Sequence, residues 1–182
     1  MRPVTLLPIR RDGWTVEDLD DLPEDDLRYE LVDGTLLVSP PPPNPHNVVA
    51  NELSFLLHAV LDDAWQIVAP GAIRFDAHNY REPDLLVMKR ERARTAYARP
   101  DDVLLVVEVM SPSSMTNDRL AKPALYAGAR IPHFWRIERD PEPVLITHQL
   151  AGDVYRETAR FTDEVVIDEP VPLRFRLATL LG

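Results

Sequence analysis

At 182 residues, 45% hydrophobic and 27% charged, the chain has the size and composition of one globular domain, and no stretch approaches the ~18 consecutive apolar residues of a membrane span. It has no cysteine, which excludes disulfides, thiolate catalysis and cysteine-based zinc sites, so any metal must be held by oxygen or imidazole. A formal net charge of −10 argues against a protein that coats nucleic acid non-specifically, because phosphate contacts need Lys and Arg to displace counterions.

At the N-terminus the apolar run Val4 to Ile9 is interrupted by Pro8 and is too short for a signal-peptide core, which predicts a cytoplasmic protein with no membrane partner. Thr15 and Asp18 fit a capping pattern for a short helix through Asp21, and the acidic cluster Asp20 to Asp26 that follows reads as a solvated turn. Arg28 to Val32 and Thr35 to Ser39 are strand-like, and Asp33-Gly34 between them supplies the positive φ angles of a tight hairpin. After the proline-dense Ser39 to Pro45, Asn44 is placed to cap a helix over Pro45 to Leu61. Its buried face repeats through Val49, Leu53, Leu56, Leu57 and Val60.

Strands are expected at Trp65 to Ala69, Ala72 to Phe75 and Asp84 to Met88, with Pro70-Gly71 and the polar Asp76 to Glu82 as turns. Val103 to Met110 is apolar on both faces except for Glu108, the pattern of a central strand covered on each side. A helix over Ser114 to Ala129 and strands at His133 to Glu138, Val144 to Leu150, Val154 to Thr158 and Val165 to Asp168 complete the order. The fold class predicted is α/β, in the α+β sense of a central mixed sheet flanked by helices, as a single domain over 1–182.

Two carboxylates stand out for chemistry. Asp84 opens one strand after Pro83 and Glu108 lies near the end of another, so neighbouring strands would bring both to one edge of the sheet. Two hard oxygen ligands of this kind suit Mg²⁺ or Mn²⁺, which keep several waters and need few protein carboxylates. Alternation puts Glu108 on a face with Leu104, Val106 and Met110, where a buried charge needs a compensating cation; an arginine partner would serve a purely structural role equally well. Clustered carboxylates without a cation would repel one another, so Glu108→Gln is expected to cost little in metal-free protein. The basic run Lys89, Arg90, Arg92 and Arg94 follows the Asp84 strand and is either a backbone-binding patch or a solvated loop. A homo-oligomer such as a dimer would bring two such loops onto one surface.

The ordered set Arg28-Tyr29-Glu30-Leu31-Val32-Asp33-Gly34, Ser39-Pro40 with His46, Glu82-Pro83-Asp84-Leu85, Val106 to Ser114, Asp118, Lys122 and Tyr126 resembles the Uma2 family over roughly Thr15 to Leu150. That family belongs to the restriction-endonuclease-like PD-(D/E)XK superfamily. The resemblance implies a restriction-endonuclease-like core and a metal-dependent endonuclease acting on DNA. It makes Asp84 and Glu108 ligands of Mg²⁺ or Mn²⁺, with Glu30 a third carboxylate and the Val109 backbone carbonyl an additional ligand. The superfamily's lysine would fall at Met110, which cannot serve; the matching lysine of the Uma2 pattern is Lys122, whose ammonium would stand beside the attacking water.

From the residues alone, Lys122 also reads as a surface lysine bridged to Asp118, and Pro123 directly after it predicts a kink. Glu30 reads as an exposed strand glutamate, His46 as packed or solvated, and Tyr126 and Trp135 as core. Besides the endonuclease, two functions remain open at this point: a non-catalytic binding or assembly protein on the same fold, and a hydrolase of smaller phosphate esters.

Overall fold

The computed structural model describes residues 10–110 and 121–182. The Val4 to Ile9 run, Ser111 to Ser114, Asp118 and the first part of the helix expected over Ser114 to Ala129 lie outside the described residues.

A 3-10 helix at Val16–Asp21 opens the chain, held by the reciprocal Thr15–Asp18 capping pair. Strands β1 (Arg28–Val32) and β2 (Thr35–Ser39) form the expected hairpin, with Asp33 at φ 47° and Gly34 at φ 74° making the turn. Helix α1 runs Asn44–His58, with Pro43 rather than Asn44 at the cap and no side-chain capping bond. Pro45 in its first turn lacks only an amide that would have had no helical partner. Val49, Leu53 and Leu57 form its fully buried face. Next come β3 (Trp65–Val68), β4 (Ile73–Arg74), β5 (Tyr80–Arg81), β6 (Leu85–Lys89) and β7 (Val103–Val109). Helix α2 (Lys122–Gly128) leads to β8 (His133–Glu138), β9 (Val144–Ala151), β10 (Val154–Phe161), β11 (Glu164–Ile167) and β12 (Leu173–Arg176). Strands β5 and β12 were not expected. The first is a two-residue pairing inside a polar stretch, where periodicity has too few positions to show itself.

The central sheet has six strands in the order β10-β9-β8-β7-β6-β3, parallel only between β7 and β8. A smaller four-stranded sheet, β2-β1-β5-β4, lies beside it, and β11 and β12 pair separately. One core cluster joins α1 to Leu105, Val107 and Val109 of β7 and to Trp135 and Ile137 of β8. A second joins Leu86, Met88 and Val106 to Tyr126 of α2 and Phe134 of β8, and a third gathers Trp14, Val16 and Leu31. Strand β7 is therefore covered on both sides, which is why its sequence is almost continuously apolar.

Alternation along β7 is not uniform. Val87 pairs with Leu105 but Met88 with Val103, so Leu104 is an extra, bulged residue that packs toward the α1 side instead of sharing a face with Val106 as expected. Past the bulge, Val106 and Glu108 do lie toward α2. No helix among the described residues is long and apolar enough to cross a membrane.

Candidate metal and active site

The antiparallel β6–β7 register matches Leu85 to Val107, and one residue further it places Asp84 across from Glu108. Asp84 is 5% and Glu108 2% exposed, so both charges depend on their immediate partners. Asp84 Oδ2 accepts the Val109 N–H at 2.8 Å, which ties the carboxylate across to β7. Its Oδ1 lies 3.2 Å from Arg28 Nη1 and 2.9 Å from His46 Nε2, the latter a close pairing without good hydrogen-bond alignment. Burial alone would raise the Asp84 pKa. His46, Arg28 and the Val109 amide outweigh it, and the carboxyl lies below its ordinary value.

Glu108 is held from α2. Lys122 Nζ stands 3.0 Å from Oε1 and 3.1 Å from Oε2, and the Tyr126 hydroxyl donates to Oε1 at 2.7 Å. Lys122 and Tyr126 are four residues apart, so one face of a short helix delivers both. Burial and the Glu108 charge push the Tyr126 phenol well above its ordinary pKa, and it remains a donor. Pro123 sits in the first turn of α2 as described and Ala121 before it already has helical backbone geometry; the kink expected at Lys122 falls at the boundary of the described residues. Lys122 is itself buried, which removes it from the class of surface lysines.

Glu30, on β1, is partly buried instead of exposed. Its Oε1 accepts the Glu82 N–H at 2.9 Å and lies 3.7 Å from Lys122 Nζ. Glu82 joins the group unexpectedly. Its carboxylate takes the Tyr80 hydroxyl at 3.1 Å and approaches Arg28 Nε at 3.8 Å, while its carbonyl accepts an N–H from Arg28. Burial, reinforced by the Glu30 charge, raises the Glu82 pKa despite Tyr80, Arg28 and Lys122. The Arg28 guanidinium, at the centre, is desolvated, yet the charges of Asp84, Glu30, Glu108 and Glu82 raise its pKa overall.

Asp84, Glu108, Glu30 and Lys122 are thus brought together from the residue preceding β6 and from β7, β1 and α2. Arg28, His46, Tyr126 and Glu82 complete the group without having been assigned to it. One signal was available for Tyr126, since a phenol on a buried helix face needs a hydrogen-bond partner. The basic run proves remote. Lys89 ends the strand that Asp84 precedes, about 17 Å away at ~3.3 Å per residue. Lys89 and Arg92 already pair with Asp102, and Arg90 bonds the Asp63 carbonyl and Gln66.

The sequence profile of Uma2, described as "Putative restriction endonuclease", matches residues 16–179. The chain belongs to the Uma2 family. Its fold is similar to a crystal structure from Anabaena variabilis described as "a putative nuclease belonging to DUF820", with a TM-score of 0.70 at 17% identity over 92% of this chain and 97% of that one. No curated protein matches. The Uma2 fold therefore spans the hairpin, the central sheet and α2, the elements that bring the buried charges together.

In chemistry the donor set suits a hard divalent cation. It consists of carboxylate oxygens, and the charges of Asp84, Glu30, Glu108 and Glu82 together raise the pKa of the desolvated Arg28 guanidinium. No three Asp, Glu or His side chains among the described residues are arranged to hold an ion together.

Proposed function

We propose that the Asp84–Glu108 edge is the hydrolytic site of a Mg²⁺- or Mn²⁺-dependent endonuclease cutting DNA phosphodiester bonds. The observation that carries this reading is the meeting of two buried carboxylates from adjacent strands with an ammonium, Lys122, in direct contact with one of them. The family's description and the nuclease-like fold agree with it.

Asp84 and Glu108 would hold the cation, with Glu30 and the Val109 carbonyl as further donors. When bound, it would supply Lewis acidity to the phosphodiester and lower the pKa of the attacking water. Arg28, His46 and the Val109 amide keep Asp84 ionised and oriented. Tyr126 fixes Glu108 from one side and Lys122 from the other. As water adds to phosphorus and gives up a proton to solvent, the bond to the sugar oxygen breaks and that oxygen takes a proton from solvent, while the Lys122 ammonium donates toward the charge gathering on the phosphoryl oxygens.

A non-catalytic reading has its own support in the degree to which Lys122, Arg28 and His46 already balance these carboxylates within the protein. Cleavage of plasmid and oligonucleotide DNA in Mg²⁺ or Mn²⁺ separates the two. Lys122→Met should bind Mn²⁺ at least as tightly as the wild type, having lost a neighbouring positive charge. Its cleavage rate should fall by about 10² or more, the scale of losing one electrostatic stabiliser of a transition state. A folded Lys122→Met protein with wild-type turnover would remove Lys122 from the mechanism, and a wild type inert across metals and DNA forms would favour the non-catalytic reading.

A further inference from the structure

A cavity of ≈ 380 Å³ opens directly beside the site, with Asp84 and Arg28 among its lining residues. Its other walls differ in character from the acidic cluster. Asn47 and Asn51 line it from α1, four residues apart and therefore on one helical face, and Pro41, Pro42 and Pro70 also line it. The deep residues, Asp84 and Ala50, are buried, whereas Asn47, Asn51 and Pro70 are exposed at the mouth. The Asn51 side chain makes no hydrogen bond among the described residues, and the Asn47 side chain makes only a long one, 3.4 Å, to the Pro42 carbonyl. The wall at Pro70 is fixed in place: the Gly71 N–H bonds the Pro83 carbonyl at 3.1 Å, and Gly71 packs so closely on Leu86 that a Cβ there would overlap it.

We infer that this cavity is a subsite for a single nucleoside of a flexible, single-stranded substrate, adjoining the phosphodiester held at Asp84. The inference rests on the phosphodiesterase reading for the position of that phosphate. Size favours it, since the volume lies at the small end of ligand pockets and admits one nucleoside, not a duplex. Chemistry favours a neutral occupant. Among the described residues the cavity's lining cation is Arg28, which Asp84 and Glu82 already engage. Two carboxamides, each with donors and an acceptor, match the mixed donor and acceptor edge of a base, and the proline rings offer apolar contact to its faces. A site of this kind also suits a chain of net charge −10, because it binds through a base without the extended cationic surface a duplex requires.

The test is saturation-transfer NMR of the dinucleotide d(TpT) in EDTA, alongside thymidine alone and inorganic phosphate alone, with Mn²⁺-induced stabilisation measured on the same proteins. The wild type should bind d(TpT) and thymidine but not phosphate. Asn51→Trp, which fills the mouth from an exposed helix position, should weaken d(TpT) binding at least about tenfold. Phe55→Ser, one turn further along α1 and outside the cavity, should bind as the wild type does. Should circular dichroism show Asn51→Trp unfolded, Asn47→Leu replaces it with the same expectation. No d(TpT) binding by the wild type up to about 10 mM, or equal binding by the wild type and the folded variant, overturns the subsite. Mn²⁺ stabilisation without d(TpT) binding sinks the subsite alone. Binding of d(TpT) that is lost in Asn51→Trp, with no response to Mn²⁺, keeps the nucleoside subsite and sinks the phosphodiesterase reading.

Discussion

At one end of β6, Asp84 is buried between the Arg28 guanidinium, the His46 imidazole and the Val109 amide, partners drawn from three separate elements. At the other end, Lys89 and Arg92 are about half exposed and pair with Asp102, on the next turn of chain. Both ends look equally charged as text. The difference is desolvation: a charge in water is indifferent to its neighbours to within about 1 kcal/mol, whereas a buried one requires them. A cluster that must be assembled from distant strands to be tolerated at all is the better guide to chemistry than a run of like charges along the chain.

If that contrast is right, the largest effect belongs to Glu108. Glu108→Gln in metal-free buffer should lower unfolding stability by about 3 kcal/mol, because it takes from the buried Lys122 the carboxylate that meets it at 3.0 and 3.1 Å. Urea denaturation measures it. This reverses the expectation from sequence that clustered carboxylates repel and that the amide is harmless, since Glu108 proves to be paired and not merely crowded. A loss below about 0.5 kcal/mol would erase the distinction between the two ends of the strand.

The next effect is smaller and depends on pH. The folded-state pKa of Glu82 is raised above its ordinary 4.5, so the native state holds more protons than the unfolded one between the two values. Stability should then fall as pH rises through that window, the opposite of the Asp84 contribution, which is present above the ordinary carboxylate pKa and lost as pH falls through its lowered value. Glu82→Gln should raise the thermal midpoint at pH 7 relative to pH 4.5, and scanning both proteins across that range checks the sign. Smallest of all, Arg92→Ala should change stability by no more than about 0.5 kcal/mol, since the Arg92 side chain is half exposed and Lys89 remains beside the buried Asp102.

Much of this was legible in the order of residues. The β1–β2 hairpin announced itself through Asp33-Gly34, and β7 through an apolar run with one carboxylate in it. Asp84 and Glu108 followed from strand ends, while Glu30 and Lys122 needed the family resemblance. What could not be read was partnership across the fold. Arg28 meets Asp84 from 56 residues away and Tyr126 meets Glu108 from 18, and neither separation leaves a periodic trace. The Leu104 bulge was hidden for a related reason: in a strand apolar on both faces, shifting the alternation by one changes no residue type.

Divalent-cation binding by Asp84 and Glu108, as proposed, is tested most directly by calorimetric titration of Mn²⁺ into wild type and Asp84→Asn, each verified as folded. The account predicts one saturable site in the wild type and a loss of affinity of at least about 10-fold in Asp84→Asn. Equal binding by the two proteins, or no binding by the wild type, would contradict it.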